Sequence, residues 1–439
     1  MKPNPRVFLS AGEASGDAYG AALITMLRER VPGASFAGLG GSQMEQAGQV
    51  RVVSAEDVAV MGLTEILRHI PRIYRSYRKL VASIRRERPD VAVLIDFPDV
   101  NFRLAKHLRR AGVPVVWFVS PQLWAWKRGR LRWVQERVDK MLVIFPFEES
   151  FYRERCVDAE FVGHPLTETL PPTTTREEYA ALHKLDPAKT WVGLLPGSRW
   201  KEIRGNLPAM HELAMSDLIT SSAAYTTFDG DTTLQPSDPA AHTRYEFLLP
   251  VASTIDKDAL QRYIGELNAE HVKYFGPEAS GLRLTLVPDA REALFHARGS
   301  VVASGTATVL AAIVGNPFIV VYRVSALTFA LAKKLVRYPE ELAGIEDEAG
   351  NLPVAMVNLI AGCRVVPELL QERFTAANVA TELGRVLVDG PERDAQIAGL
   401  AEVRRSLAVT GSREGAPAGS PVWRVAEAVL TLLEGARAV

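Results

Sequence analysis

Arg6-Val7-Phe8-Leu9-Ser10, leading into Ala11-Gly12-Glu13-Ala14-Ser15-Gly16-Asp17, is the first of two stretches whose reading decides the fold. The second is Trp191-Val192-Gly193-Leu194-Leu195, leading into Pro196-Gly197-Ser198-Arg199. In each, a short apolar run reads as a buried parallel strand, small residues turn the chain, and a helical pattern follows. Loops of this kind lie at the carboxyl ends of strands, where open α/β sheets bind ligands. Two of them half a chain apart predict two similar domains facing a shared cleft.

The surrounding pattern agrees. In the first half, strands are expected at Val7–Ser10, Phe36–Gly40, Val91–Ile95, Val115–Val119, Met141–Phe145 and Glu160–Val162, with a helix over Ala18–Arg30. In the second half they are expected at Val192–Leu195, Phe247–Leu249, Leu282–Val287, Ser300–Ala303 and Phe318–Tyr322. Strands alternating with helices imply parallel sheets covered on both faces. Pro165 to Thr175 reads as a linker. The expected division is residues 1–170, residues 171–373 with a polar surface insertion at about 216–242, and C-terminal helices over 374–439. A second irregular stretch runs from Pro339 to Pro353, and Gly411 to Pro421 breaks the final helical pattern.

Totals set the class. The chain has 439 residues, 47% apolar and 23% charged, enough for two or three ordinary globular domains. Lys plus Arg and Asp plus Glu are 51 each, so net charge selects no partner. The two cysteines, Cys156 and Cys363, are far apart, which fits a reducing compartment and excludes a cysteine-based metal cluster. Neither a signal-peptide apolar core of roughly 7–15 residues nor a spanning run of about 18–20 is present. A cytoplasmic chain with at most peripheral membrane contact is expected.

Candidate chemistry gathers at strand ends. Gly12 and Gly16 permit tight turns before a helix N-terminus, but Glu13 and Asp17 repel phosphate and suit sugar hydroxyls better. A plain turn capped by Ser15 or Asp17 is the alternative. Asp96 and Asp99 follow the buried run ending at Ile95. Asp96 is the stronger candidate for a general base, and Asp99 for a cap on a helix beginning near Phe102. After the next strand, Trp124 and Trp126 stand beside Lys127, Arg128 and Arg130. They either wall a cleft for an anionic or lipid substrate or form a packing cluster. His164, between Gly163 and Pro165, is structural or catalytic.

In the second half, Gly197 and Ser198 offer a turn and donors, and Arg199 can pair with phosphate. Ser304-Gly305-Thr306-Ala307-Thr308 is a second loop of small donors suited to a diphosphate. Neither is a Walker loop or a dinucleotide fingerprint. Between Met61 and Arg88, Leu63, Ile66, Leu67, Ile70, Ile73, Tyr74 and Tyr77 recur near helical spacing, accompanied by Arg68, Arg72 and further basic residues, with Pro71 interrupting. This segment is either an ordinary core-facing helix with a basic outer face or a surface for an anionic membrane. Nucleic acid is not indicated, because the basic residues form no continuous stripe.

Taken in order, AGEASGD at 11–17, VMG at 60–62, DFPDVN at 96–101, SPQLWAW at 120–126, FPFE at 145–148, GHPL at 163–166, LPGSR at 195–199, SGTAT at 304–308 and NLIAG at 358–362 resemble the lipid-A-disaccharide synthases. The resemblance covers most of the chain. It implies a B-type glycosyltransferase fold of two Rossmann-like domains, with C-terminal helices crossing back or exchanged in a homodimer. It also implies transfer of a diacylglucosamine from UDP-2,3-diacylglucosamine to 2,3-diacylglucosamine 1-phosphate, giving the β-1,6 disaccharide 1-phosphate and UDP. This chemistry would run at the inner face of the cytoplasmic membrane, with no cofactor and no metal.

On that resemblance Asp96, Glu13 and Asp99 are the catalytic candidates. Gly197, Ser198, Arg199, Ser304 to Thr308 and Asn358 would hold UDP. Ser15, Asp17, Met61, Leu63, Ile66, Leu67, Arg68, Ile70, Arg72, Trp124 and Trp126 would face acceptor or membrane. Three positions depart from the family pattern: Leu310 in place of a glutamate, Cys363 in place of an arginine, and Trp200 in place of a polar residue. The alternatives are a UDP-sugar 2-epimerase-like enzyme and a non-catalytic lipid binder that lost its donor at Leu310.

Overall fold

Val91 to Ile95 is buried at every position, as a strand covered on both faces must be. It lies centrally in a seven-stranded parallel sheet in the computed structural model, which describes residues 2–56, 66–168, 172, 174–215, 244–275, 284–336, 338, 346, 350–409 and 420–435. The expected 216–242 insertion, most of Pro339 to Pro353, and most of Gly411 to Pro421 lie outside these residues, as do Met61 and Leu63.

The chain divides into two compact units: residues 1–169 with 336–341 and 407–439, and residues 170–335 with 342–406. The boundary at Thr169 and Leu170 falls inside the proline- and threonine-rich stretch. Residues 374–406 group with the second unit and residues 407–439 with the first.

In the first unit, β1 (Arg6–Ala11), β2 (Ser35–Gly40), β3 (Gln49–Ser54), β4 (Val91–Ile95), β5 (Val115–Phe118), β6 (Lys140–Val143) and β7 (Ala159–Phe161) take the order β3-β2-β1-β4-β5-β6-β7. Helices α1 (Ala14–Arg30), α2 (Ser42–Gln46), α3 (Ile66–Glu87), α4 (Pro98–Arg110), α5 (Leu131–Arg137) and α6 (Pro146–Arg153) connect them. Helix α1 starts four residues earlier than the sequence pattern suggests, directly after Glu13. Helix α3 continues through Pro71, which therefore does not end it. On its C-terminal half Leu80, Val81 and Ile84 are buried, each worth about 1.5–3 kcal/mol.

In the second unit, α7 (Arg176–His183) precedes β8 (Thr190–Leu195), α8 (Trp200–Met215), β9 (Tyr245–Pro250), α9 (Lys257–Phe275), β10 (Leu284–Val287), α10 (Ala290–His296), β11 (Gly299–Ala303), α11 (Thr306–Val314), β12 (Phe318–Tyr322), α12 (Ala326–Leu335), α13 (Met356–Ala361), β13 (Glu368–Leu370), α14 (Ala376–Leu387) and α15 (Pro391–Leu407). Its six parallel strands take the order β10-β9-β8-β11-β12-β13. One face of this sheet gathers Val192, Leu194, Val301 and Ile319 against Leu383 of α14, while Trp191, Leu248 and Val287 pack in a separate cluster.

Both sheets therefore share one winding: three strands run outward in one direction, and the next continue from the other side of the first. Each sheet reverses once, between β1 and β4 and between β8 and β11, which are the ligand-binding switch points of doubly wound folds. The last helix, α16 (Pro421–Gly435), packs back on α1, with Arg30 over the Trp423 ring and paired with Glu427.

Candidate functional site

At the first switch point Ala11 and Ile95 are register partners, so Glu13 and Asp96 leave neighbouring strand ends. Asp96 and Phe97 both adopt left-handed backbone, with φ of 45° and 47°, before Pro98 opens α4. Two such residues in succession cost on the order of 1–3 kcal/mol each and persist only where their surroundings hold them. Gly12 supplies part of that hold, since a Cβ there would lie 2.4 Å from the Phe97 ring. Asp96 N–H donates to the Phe118 carbonyl at 2.9 Å.

Asn101, which is fully buried, supplies the rest. Its Oδ1 accepts from Ser10 Oγ at 2.6 Å, and its Nδ2 points to the carbonyls of Asp96 (2.7 Å), Ser10 and Ile95 (both 3.3 Å). The Asp96 side chain stays half-buried and faces Tyr19, whose hydroxyl is pushed above its ordinary range by burial and then by the Asp96 charge. Asn101 and Tyr19 were not singled out from sequence. Glu13 is exposed at the N-cap position of α1, and Ser15 is half-buried in the first turn.

Asp17 and Asp99 are placed differently from expectation. Asp17 is buried and accepts backbone N–H bonds from Gly41 (2.7 Å), Gln43 (3.0 Å) and Met44 (3.1 Å), so its carboxylate caps α2 instead of meeting an acceptor. Asp99 is not the cap of its helix. The helix begins at Pro98 with Phe97 as N-cap, and the exposed Asp99 carboxylate pairs with Arg130 at 2.8 Å.

The two tryptophans separate. Trp124 is buried, with its Nε1 donating to Glu148 Oε1 at 3.1 Å, so it belongs to the core and walls no cleft. Trp126 is exposed, with Lys127 Nζ 4.0 Å above its ring. Glu148, from the FPFE stretch, also accepts from Ser120 Oγ at 2.6 Å and from Phe145 N–H at 3.3 Å. Burial outweighs these donors and raises its carboxyl to about 7. His164 is structural: its N–H donates to the Leu407 carbonyl, its Nδ1 accepts from Leu166 N–H, and burial lowers its ring to about 3. Of the amphipathic segment, Ile66, Leu67, Arg68, Ile70 and Arg72 lie on the α3 backbone, and Tyr74 is 60% exposed.

At the second switch point Leu195 and Val302 are partners, bringing the Pro196–Arg199 and Ser304–Thr308 loops to adjacent strand ends. Gly197 takes φ 126°, and a Cβ there would lie 2.5 Å from Glu202 Oε2. That same oxygen accepts from Ser198 N–H at 2.9 Å, while Glu202 Oε1 lies 3.6 Å from Arg199 Nη1. Thr254 Oγ1 donates to the Ser198 carbonyl at 2.6 Å. Glu202 thus braces the loop, and Arg199 remains 66% exposed.

Gly305, at φ 152°, is the N-cap of α11; Gly305 and Thr306 are exposed and Ala307 is half-buried. The start of this helix presents backbone N–H groups suited to an anion. Ser304 Oγ donates to the Val354 carbonyl at 3.3 Å. The buried Thr308 Oγ1 returns to the Gly305 carbonyl at 2.7 Å, so it shapes the loop without facing a ligand. Leu310 is half-buried on α11.

Asn358 also departs from its expected nucleotide role. Fully buried, it donates to the Val366 carbonyl and Glu368 Oε1 and accepts from Val365 and Val366 N–H, all within 2.8–3.0 Å. Two donors and two acceptors exhaust an amide. Glu368 in turn accepts from Val354 and Ala355 N–H, fixing the entry of the chain into α13. Among the described residues no group of three His, Cys, Asp or Glu side chains is placed to hold a metal, and no helix is long and apolar enough to cross a membrane.

The fold matches solved glycosyltransferases and related enzymes at low sequence identity. One is the calicheamicin glycosyltransferase CalG4, with TM-score 0.53, 14% identity and full coverage of both chains. Another is a putative UDP-N-acetylglucosamine 2-epimerase from Listeria monocytogenes, with TM-score 0.54, 10% identity and coverage of 98% and 97%. These likenesses concern fold alone and do not favour an epimerase. Sequence comparison is more specific. The family model described as lipid-A-disaccharide synthetase matches residues 7–224 and 269–413. A lipid-A-disaccharide synthase of Acidobacterium capsulatum is 50% identical over 415 residues, covering 94% of each chain. Another, from Koribacter versatilis, is 45% identical over 98% of this chain and 99% of its own. With two Rossmann-like units and this similarity along nearly its whole length, the chain belongs to the lipid-A-disaccharide synthase family, and is a glycosyltransferase of lipid A biosynthesis.

Proposed function

We propose that the chain transfers the sugar of UDP-2,3-diacylglucosamine to the 6-hydroxyl of 2,3-diacylglucosamine 1-phosphate, inverting the anomeric centre. The observation that carries this assignment is that the four candidate loops occupy the two switch points, with carboxylates at the first and phosphate-type donors at the second.

Asp96 accepts the proton of the 6-hydroxyl as that oxygen attacks the donor's anomeric carbon. The bond to the β-phosphate oxygen breaks, and UDP leaves with its electron pair. Arg199 and the N–H groups opening α11 take up the charge that develops on the diphosphate. Because Glu202 already pairs with Arg199, diphosphate binding exchanges one anionic partner for another. Glu13, on the neighbouring strand end, orients acceptor hydroxyls, with Ser15 beside it. In this reading the first unit takes the acceptor and the second the donor.

We also assign peripheral attachment at the inner face of the cytoplasmic membrane, supported by the exposed Tyr74, Arg75, Arg78 and Lys79 of α3, and a homodimer, supported by the family resemblance. The test is incubation of purified protein with both acylated sugars and mass detection of the disaccharide phosphate. Asp96→Asn should abolish product while UDP still binds, and Arg199→Ala should weaken UDP about 10- to 100-fold. Undiminished turnover by Asp96→Asn would remove it as the base.

A further inference from the structure

On the outer side of α4 a cavity of about 350 Å³ runs from Pro98 and Asp99 to Arg110, between Tyr77 of α3 and the Arg130–Arg137 segment. Its volume lies within the range of small-ligand sites, about 300–1,000 Å³. Five fixed cations line it, Arg103, Lys106, Arg110, Arg130 and Arg137, against the single carboxylate of Asp99.

The cations fall into two sets. Arg130 and Arg137 are held: both guanidiniums lie over the Trp133 ring, at 5.5 and 5.0 Å, Arg130 pairs with Asp99, and Arg137 Nη1 donates to the Phe102 carbonyl at 3.1 Å. Arg103, Lys106 and Arg110 are exposed along one face of α4 and have no carboxylate partner among the described residues. At 1.5 Å per residue these three span roughly 10 Å, more than one phosphate needs and comparable to a phosphorylated sugar. Lys106 and Arg110, with Arg85 of α3, make their charge felt inside the groove. His107, bonded to Tyr77 Oη at 2.9 Å, is driven toward its neutral form by burial and then by Arg85, Arg110 and Lys106. Like charges gathered in a concave site without counter-ions cost stability, and an anionic ligand offsets that cost.

We propose that this groove binds a phosphate group carried by a lipid. The inference rests on the glycosyltransferase assignment for its setting: the groove opens at Pro98 and Asp99, the first turn of the helix that follows Asp96, and its other wall is the basic helix α3. Two lipids carry that chemistry, the acceptor with its anomeric phosphate and an anionic phospholipid of the bilayer.

The test uses the triple variant Arg103→Ala/Lys106→Ala/Arg110→Ala, with Arg103→Lys/Arg110→Lys as the charge-preserving control. Because all three side chains are exposed and their mutual repulsion is removed, the variant should fold with an unfolding temperature at or above that of the wild type. Sedimentation with phosphatidylcholine vesicles, with and without phosphatidylglycerol, reads the bilayer arm. Initial rates against 2,3-diacylglucosamine 1-phosphate in uncharged detergent micelles, at saturating donor, read the acceptor arm. A basic residue at an anionic surface is worth about fivefold in binding, so a bilayer phosphate predicts about a hundredfold loss of phosphatidylglycerol-dependent sedimentation with micellar kinetics unmoved. An acceptor phosphate predicts a comparable rise in acceptor KM, with donor KM and sedimentation unmoved.

The lysine control should restore whichever quantity fell. A folded triple variant equal to wild type in both arms overturns the proposal. If wild-type protein forms no disaccharide, the assigned reaction fails separately, and the vesicle arm alone decides the groove, with unchanged sedimentation rejecting it.

Discussion

Asn101 holds Asp96 by its backbone: the amide donates to the Asp96 carbonyl at 2.7 Å while its own carbonyl accepts from Ser10 Oγ at 2.6 Å. The proposed base is therefore positioned through its main chain. Replacing Asn101 by alanine strands a buried hydroxyl and up to three carbonyls, at about 1–3 kcal/mol or more in all. Asn101→Ala should lower the unfolding temperature by several degrees. It should also lower kcat more than it raises the donor KM, because the proposed donor contacts, Arg199 and the Ser304–Thr308 loop, belong to the second unit. Calorimetric unfolding and steady-state kinetics check both.

Glu148 makes the first unit's stability depend on pH. Its folded value of about 7 lies above the ordinary 4.5, so the folded state holds this proton more tightly than the unfolded state. The resulting stabilisation is complete below about pH 4.5, declines as pH rises, and is gone above about pH 7. Urea unfolding midpoints of Glu148→Gln, compared with wild type, should lack this part of the decline. Parallel curves from pH 4.5 to 7.5 would show that Glu148 ionises normally.

Gly197 should tolerate no side chain. At φ 126°, with a Cβ only 2.5 Å from Glu202 Oε2, alanine imposes backbone strain of about 1–3 kcal/mol and displaces the glutamate that braces Ser198 and Arg199. Gly197→Ala should bind UDP about 10-fold or more weakly by isothermal titration. An unchanged Kd would mean that loop shape does not govern nucleotide binding.

Asn358 separates a structural role from a ligand contact. Asn358→Ala loses four buried hydrogen bonds and should cost about 2–4 kcal/mol of stability. Below its unfolding transition the variant should nevertheless bind UDP within about twofold of wild type. A large loss of affinity in the folded variant would return Asn358 to the nucleotide site.

The strands next to the switch points were legible because each is a short apolar run bounded by turn residues. β3 was not, since Gln49 and Arg51 interrupt the run and Val50 is 68% exposed on this edge strand. β13 is three residues long, too short for any periodicity. Among the glycines read as turn formers, Gly197 stands at positive φ, whereas Gly12 and Gly16 do not, and Gly16 lies inside α1. Polar side chains were harder. Asp17, Asn358 and Trp124 look functional in sequence because they are polar or aromatic near strand ends, but each spends its hydrogen bonds inside the protein. Nothing local separates a polar group facing a ligand from one facing a distant backbone, since the partner of Asp17 lies 24–27 residues away and that of Trp124 lies 24.

Helix α16 carries Val422, Trp423, Val425, Ala426, Val429, Leu430 and Leu433 into the first unit, although more than half the polypeptide separates it from β7. During synthesis, the amino-terminal unit emerges from the ribosome long before the segment that covers part of its apolar surface. That unit must wait, incompletely enclosed, until this helix has been synthesised. A nonsense codon just ahead of this 15-residue helix would thus injure the amino-terminal unit, far from the lesion in sequence.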